Sequence, residues 1–356
     1  MKIALVGYTI PGTGVSAIPS IASYLWGLVG GLRNQQQDVH LYIRDDHFTG
    51  IPWIHPVRSP KVSWLIYPTF LARALKNVSA DVFHADYIVS GAALPKNKPR
   101  VVSFHDAYPF QQDTKTMSLA NKIKRKFYFR CFDACRSADA LIAMSNDAKQ
   151  DAVVYANIPE EQIHVVYNGV DTDYYKPLPK QDHERVRIGY LGGLDSRKNI
   201  SMLLEAYKLL AQSRNDIELH IAGSGANLPR FKAMNLPQAT FYGFLPDERV
   251  VPFYNSLDIF VFPTLKEGFG MMALEAMACG IPVVALNTTS MPEVVGDAGL
   301  LAEPSIESLA REIELLVKQP ILRKQLSKRG LERAKQMSWN ACAKNTINVY
   351  EAVLGR

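Results

Sequence analysis

The sequence predicts an α/β protein with two parallel sheets, each covered by helices on both faces, and three observations carry that expectation. Apolar runs of strand length recur near 2–7, 39–43, 81–85, 100–104 and 139–144, then near 186–191, 216–222, 240–244, 258–262 and 282–286. Helix-period stretches separate them, as crossover helices separate the strands of a parallel sheet. The two sets are divided by Asp171 to Glu184, a stretch rich in Pro, Lys, Asp and Tyr that contains Pro177 and Pro179 and has the composition of an interdomain connector. A length of 356 residues, 47% hydrophobic and 21% charged, suits two ordinary cores and excludes a disordered or fibrous chain. The expected organisation is a first domain over 1–170, a linker over 171–185, a second domain over 186–338 and a closing helix over 339–356.

The run Lys2 to Gly7 reads as a first buried strand and is too short for a secretory signal. Residues 11 to 32 carry no charge, yet Pro11, Pro19, five glycines and several hydroxyls interrupt them. A helix starting near Pro19 falls short of the ~20 apolar residues a bilayer requires, so a buried helix is expected. Gly12 and Gly14 follow the first strand and let backbone N–H groups approach a phosphate or sugar; a plain turn accounts for them equally well.

His105 ends the apolar run Val101 to Phe104, which places an imidazole at the carboxyl end of a strand, where doubly wound sheets bind their ligands. Asp106 either orients His105 or caps a turn. Ser145 and Asn146 read as a helix cap, and Asn168-Gly169 as a turn. Asp171-Thr172-Asp173 has an Asp-x-Asp pattern suited to a metal, but its place in the connector makes this a coincidence. Lys115, Lys122, Lys124, Arg125, Lys126, Arg130 and Arg136, with Asp133 as the one acid, interleave with Phe127, Tyr128 and Phe129. Such a basic, aromatic helix suits an anionic membrane surface through Lys122 to Arg130, and an ordinary solvated face is the plainer explanation. The net charge of +6 agrees with a membrane and equally with nucleic acid.

In the second half, Tyr190-Leu191-Gly192-Gly193-Leu194-Asp195-Ser196-Arg197-Lys198-Asn199 is a strand end, a glycine turn and paired cations. Arg197 as a planar fork and Lys198 as a point charge suit a diphosphate. Glu267-Gly268-Phe269-Gly270-Met271-Met272-Ala273-Leu274-Glu275 puts one carboxylate in a glycine-flexed loop and another more than a turn into the helix that follows. The helix entrance favours a phosphate, and each carboxylate can accept from vicinal hydroxyls. The four cysteines form no Cys-x-x-Cys pair and are too few for a disulfide scaffold, which points to a reducing cytoplasm and away from zinc.

Taken together, Pro11 to Ser16, Ser103 to Asp106, Ala143 to Ser145, Val166 to Asp171, the turn from Gly193 to Asn199 and the element from Glu267 to Glu275 resemble the glycosyl transferases group 1 family. These are retaining, nucleotide-sugar-dependent GT-B enzymes, here mannosyltransferase-like, and the likeness covers nearly all of the chain. It implies two Rossmann-like domains facing across a cleft, with the closing helix crossing back to the first. It also implies that His105, Lys198, Arg197 and Glu267 are catalytic. Donor binding falls to Gly12, Gly14, Gly193, Arg197, Lys198, Glu267, Phe269, Gly270, Met271, Met272 and Glu275, with the base near Gly243, Phe244 and Leu245. Many members carry Arg where this chain has Gly193, so Arg197 takes over that charge. No metal and no cofactor are expected, only a nucleoside diphosphate sugar, with mannose from a guanosine donor as first choice and a glycan or lipid-linked acceptor of cell-surface polysaccharide synthesis. The expected location is cytoplasmic, at the inner face of the membrane where the basic helix acts. A sugar-nucleotide epimerase of the same fold, which needs an added acid–base pair, and a non-catalytic binding subunit are the alternatives. The Glu267, Glu275 and Lys198 set argues against the binding subunit and against nucleic acid.

Overall fold

The computed structural model describes residues 1–7, 19–43, 50–58, 66–107, 117–179 and 183–355. Gly12, Gly14 and Lys115 lie outside the described residues. The chain divides into two compact units, Met1–Gly169 with Trp339–Arg356, and Val170–Ser338.

The first unit holds a seven-stranded parallel sheet formed by β1 (Lys2–Val6), β2 (Asp38–Ile43), β3 (Ile54–Pro56), β4 (Val82–Ala85), β5 (Arg100–Phe104), β6 (Ala140–Ala143) and β7 (Ile163–Val165), in the order β3-β2-β1-β4-β5-β6-β7. Its central strands are buried along nearly their whole length, as apolar runs such as Ile3 to Val6 and Ala140 to Ala143 require when helices cover both faces. The closing helix, Trp339–Val353, belongs to this unit and packs on the first helix, Pro19–Asn34. Gly27 and Gly31 make that contact close: a Cβ on Gly27 would stand 2.0 Å from the Trp339 ring. Tyr350 of the closing helix bonds His84 Nδ1 at 2.6 Å, and His84 Nε2 bonds Ser103 at 2.7 Å, which ties the helix to the sheet.

The second unit holds a six-stranded parallel sheet formed by β8 (Val186–Leu191), β9 (Ile217–Ala222), β10 (Ala239–Gly243), β11 (Ile259–Phe262), β12 (Val283–Leu286) and β13 (Leu300–Ala302), in the order β10-β9-β8-β11-β12-β13. The order reverses between β8 and β11, so the loops leaving their carboxyl ends diverge and leave a crevice at the switch point. All ten strands expected from the sequence form, with ends within one residue. The three not anticipated, β3, β7 and β13, are three-residue sheet edges too short to show a periodicity. The fold is the two-domain Rossmann-like α/β architecture expected from the sequence.

The stretch after Val170 is packed against the second unit. Tyr174 donates to the Asp247 carbonyl at 3.0 Å, and Asn255 accepts from Leu178 N and donates to the Lys176 carbonyl. Asp171 Oδ1 accepts from the N–H groups of Asp173 and Tyr174 at 2.9 and 3.1 Å, so its Asp-x-Asp pattern is a local turn. Among the described residues, no helix is long and apolar enough to cross a membrane.

Candidate functional site

The site in the second unit is assembled from loops that leave β8, β10, β11 and β12. After β8 the chain turns at Gly192, and Tyr190 donates to the Gly193 carbonyl at 2.7 Å. Asp195 caps the single 3₁₀ turn Ser196–Lys198 by accepting from Arg197 N at 3.0 Å. Asn199 then takes a left-handed conformation and starts the helix Ile200–Ala211. This local geometry turns Lys198 inward, where it is 4% exposed, and leaves the Arg197 side chain 23% exposed.

The loop after β11 meets this turn directly. The Arg197 carbonyl accepts from Leu265 N at 3.1 Å and from the Thr264 hydroxyl at 3.4 Å, and Lys198 Nζ is ion-paired with Glu267 Oε2. The ammonium also stands 5.3 Å from the centre of the Phe262 ring. From the other side, the buried Ser290 hydroxyl bonds the carbonyls of Glu267 and Phe269 at 3.1 and 2.8 Å, and Thr288 bonds the Thr264 carbonyl. The carboxylate is therefore fixed by its backbone as well as by its cation. Ser290 and Thr288 were not picked out from the sequence, where Thr288-Thr289-Ser290 is only a short hydroxyl run.

Gly270 caps the helix Met271–Ala278 with φ +105°, a conformation that side chains rarely adopt. Phe269 and Met271 are buried, and the sulfur of half-buried Met272 lies against Gly192, which brings this helix entrance to the β8 turn. Gly243 ends β10 with φ +74°, and the adjacent Phe244 ring is 73% exposed. Thus Gly193, Arg197, Lys198, Gly243 to Leu245, Glu267 and Gly270 to Met272 all lie at the carboxyl end of one sheet.

Glu275 faces a different set of groups. It is 9% exposed, and its Oε2 accepts from the buried Tyr254 hydroxyl at 2.9 Å. Tyr175 acts on the same carboxylate; burial raises the Glu275 pKa above the ordinary carboxylate value while the two tyrosine hydroxyls pull it back.

In the first unit, His105 follows β5 as expected. Its Nε2 is bonded to the Asp86 carbonyl at 2.8 Å, and its ring meets Tyr24 edge-on at 5.0 Å between centres. A carbonyl only accepts, so Nε2 carries the proton; desolvation pushes the imidazole pKa down to about 4, against that bond, so the ring is neutral near pH 7. Nδ1 is then an acceptor. Asp86, the group that sets this tautomer, was not identified from the sequence. Among the described residues no group of three His, Cys, Asp or Glu side chains is placed to hold a metal.

Comparison with known proteins agrees with this architecture. Residues 173–333 match the family "Glycosyl transferases group 1" and residues 21–174 match "Glycosyltransferase Family 4". The chain is 30% identical over 305 residues to the O-antigen chain mannosyltransferase B of Escherichia coli, covering 81% of this chain and 78% of the relative. It is 27% identical to a serotype-specific mannosyltransferase WbdA of the same organism, a longer protein of which it spans 38%. The chain belongs to the glycosyl transferases group 1 family and is a glycosyltransferase of GT-B fold. Among solved structures it is similar to a sucrose-phosphate synthase from Thermosynechococcus elongatus, with a TM-score of 0.76 at 20% identity over 99% of this chain and 100% of the other. It is also similar to Anabaena Alr3699/HepE in complex with UDP and glucose, with a TM-score of 0.72 at 18% identity over 99% and 100%. At these identities the likeness concerns the fold.

Proposed function

We propose that the protein transfers a hexose, with mannose from GDP-mannose as first choice, from a nucleoside diphosphate sugar to a hydroxyl of a glycan or lipid-linked acceptor, with retention at the anomeric carbon. The observation that carries this reading is the inward-turned Lys198 paired with Glu267 at the switch point between β8 and β11. A diphosphate entering there replaces Glu267 as the ammonium's partner and frees the carboxylate to accept from sugar hydroxyls. Lys198, Arg197 and the helix entrance at Gly270 then oppose the charge that develops on the leaving diphosphate, the electrostatic term that usually contributes most to such a reaction. Glu275 takes the ribose hydroxyls, the exposed Phe244 and its neighbours Gly243 and Leu245 meet the base, and neutral His105 orients the sugar by accepting from a hydroxyl at Nδ1. With two cations and a helix entrance to supply positive charge, the reaction is proposed to run without a metal or another cofactor. Two named mannosyltransferase relatives support the choice of sugar.

A panel of GDP, UDP, ADP and dTDP, each with and without EDTA, tests this reading by thermal unfolding. A ligand at ~100 times its dissociation constant adds ~2.7 kcal/mol to the folded state. Stabilisation by one nucleotide, unchanged by EDTA, is the expected result; no shift from any of them contradicts it. Conversion of the donor sugar to an epimer without an acceptor product would favour the epimerase alternative.

The location of the enzyme at an anionic membrane surface is part of the same proposal, and one structural feature favours it. The helix Leu119–Arg136 buries Tyr128, Cys131, Phe132 and Cys135 on one side, yet it exposes Leu119 (76%), Ile123 (50%) and Phe129 (36%) among the exposed Lys122, Lys126 and Arg130. At helical spacing these six residues share the outer face, which combines apolar anchors with cations. The protein is expected to sediment with phosphatidylglycerol-containing vesicles and not with pure phosphatidylcholine. Reversing Lys122, Lys126 and Arg130 to Glu should abolish this without lowering Tm. Equal sedimentation of the variant removes the membrane assignment.

A further inference from the structure

Glu275 is a carboxylate among tyrosines. Tyr254 is fully buried and donates to Oε2, and its ring is wedged edge-on against Phe260 at 5.3 Å and Tyr175 at 6.3 Å between centres. The two tyrosines come from elements that are tied together. The helix Asp247–Asn255 supplies Tyr254, the segment after Val170 supplies Tyr175, and the bonds of Tyr174 to Asp247 and of Asn255 to Lys176 and Leu178 clamp one to the other. Among the described residues, Tyr174, Tyr175, Tyr254 and Cys279 are titratable groups that interact with Glu275, and none of these four is a cation. A phenylalanine at 254 would fill the same volume. The hydroxyl is what a desolvated carboxylate needs, because an unsatisfied buried acceptor is costly.

We propose that Tyr254, seconded by Tyr175, is a positioning residue that fixes the Glu275 carboxylate in the orientation in which it accepts from the ribose hydroxyls of the donor. This rests on the assignment of Glu275 to the ribose in the proposed function. Hydrogen-bond donation from both tyrosines also favours the charged form against burial, so removing either hydroxyl raises the Glu275 pKa further. The carboxylate that accepts a ribose hydroxyl is then lost at a higher pH.

The readout is the preference for GDP over 2′-deoxy-GDP, measured by calorimetric titration across pH, or the uridine pair if the nucleotide panel selects UDP. Wild-type protein is expected to prefer the ribonucleotide, with the preference rising as pH rises. Tyr254→Phe should reduce it by about tenfold, the scale of one hydrogen bond to a charged group, and move its midpoint to higher pH. Affinity for the diphosphate common to both ligands should remain. Tyr175→Phe should do the same more weakly and serves if Tyr254→Phe does not fold. If both tyrosine variants keep the wild-type preference and pH profile while Glu275→Gln loses the preference, the positioning role is wrong and the ribose assignment stands. If wild type shows no preference and Glu275→Gln changes nothing, the ribose assignment fails and the positioning role fails with it.

Discussion

Lys198→Ala is expected to lower the rate of glycosyl transfer by about 10²–10³-fold, the range for removing one preorganised donor from a developing anion. The side chain is 4% exposed and no other cation is paired with Glu267 among the described contacts, so the lost charge has no ready substitute. Arg197 is the nearest basic residue in the chain, but its carbonyl is held by the β11 loop and its guanidinium lies beside Asp195 at 3.9 Å. The same substitution leaves Glu267 without its cation. Breaking a fully buried pair costs about 3–5 kcal/mol, and the cost here is smaller because the Glu267 side chain is 14% exposed. Steady-state nucleotide release by Lys198→Ala and by the double variant Lys198→Met/Glu267→Gln separates the two effects. The double variant regains stability and stays inactive.

Gly223→Ala is expected to have the largest effect on stability. Gly223 takes φ +141°, and a Cβ there would stand 1.8 Å from the Gly192 carbonyl oxygen, a backbone atom that cannot swing aside. Moving either strand end breaks the bond from Gly192 N to the Ala222 carbonyl, 3.0 Å, or the one from Gly223 N to the Gly243 carbonyl, 2.7 Å. Overpacking together with an unfavourable φ costs about 3 kcal/mol or more. For a unit the size of Val170–Ser338 this corresponds to a fall in Tm of about 6–12 °C. Because Gly192 leads into the turn that carries Lys198, nucleotide binding should weaken in parallel. Differential scanning calorimetry of the variant checks the prediction, and an unchanged Tm would mean that the ends of β8, β9 and β10 are not packed as described.

Gly223 also shows where sequence reasoning stopped. Glycines within a recognisable motif, such as Gly193 and Gly270, were legible because charged residues of the same motif, Asp195 to Lys198 and Glu267, stand a few positions away. Gly223 stands after an ordinary apolar run, and its necessity comes from Gly192, at the turn that leaves the neighbouring strand β8. The strands themselves were legible because mainly apolar runs of four to six residues have few alternatives once helical stretches alternate with them. Lys198 and Glu267 were each picked out from local pattern, yet their pairing across β8 and β11 is a property of the strand order. Tyr254 and Tyr175 carry no local signal in the sequence, because the partner that gives their hydroxyls a purpose is a glutamate distant in sequence from both. Asp86 contributes through its backbone carbonyl, which no side-chain pattern reveals.

The measurement that tests the central claim most directly is calorimetric titration of GDP, in EDTA, into wild-type protein and the stable Lys198→Met/Glu267→Gln variant. The crevice between β8 and β11 as the diphosphate site predicts saturable binding to the wild type and at least about tenfold weaker binding to the variant, the loss of one charge-assisted contact. Equal affinity in the two proteins would place the nucleotide elsewhere and contradict the account.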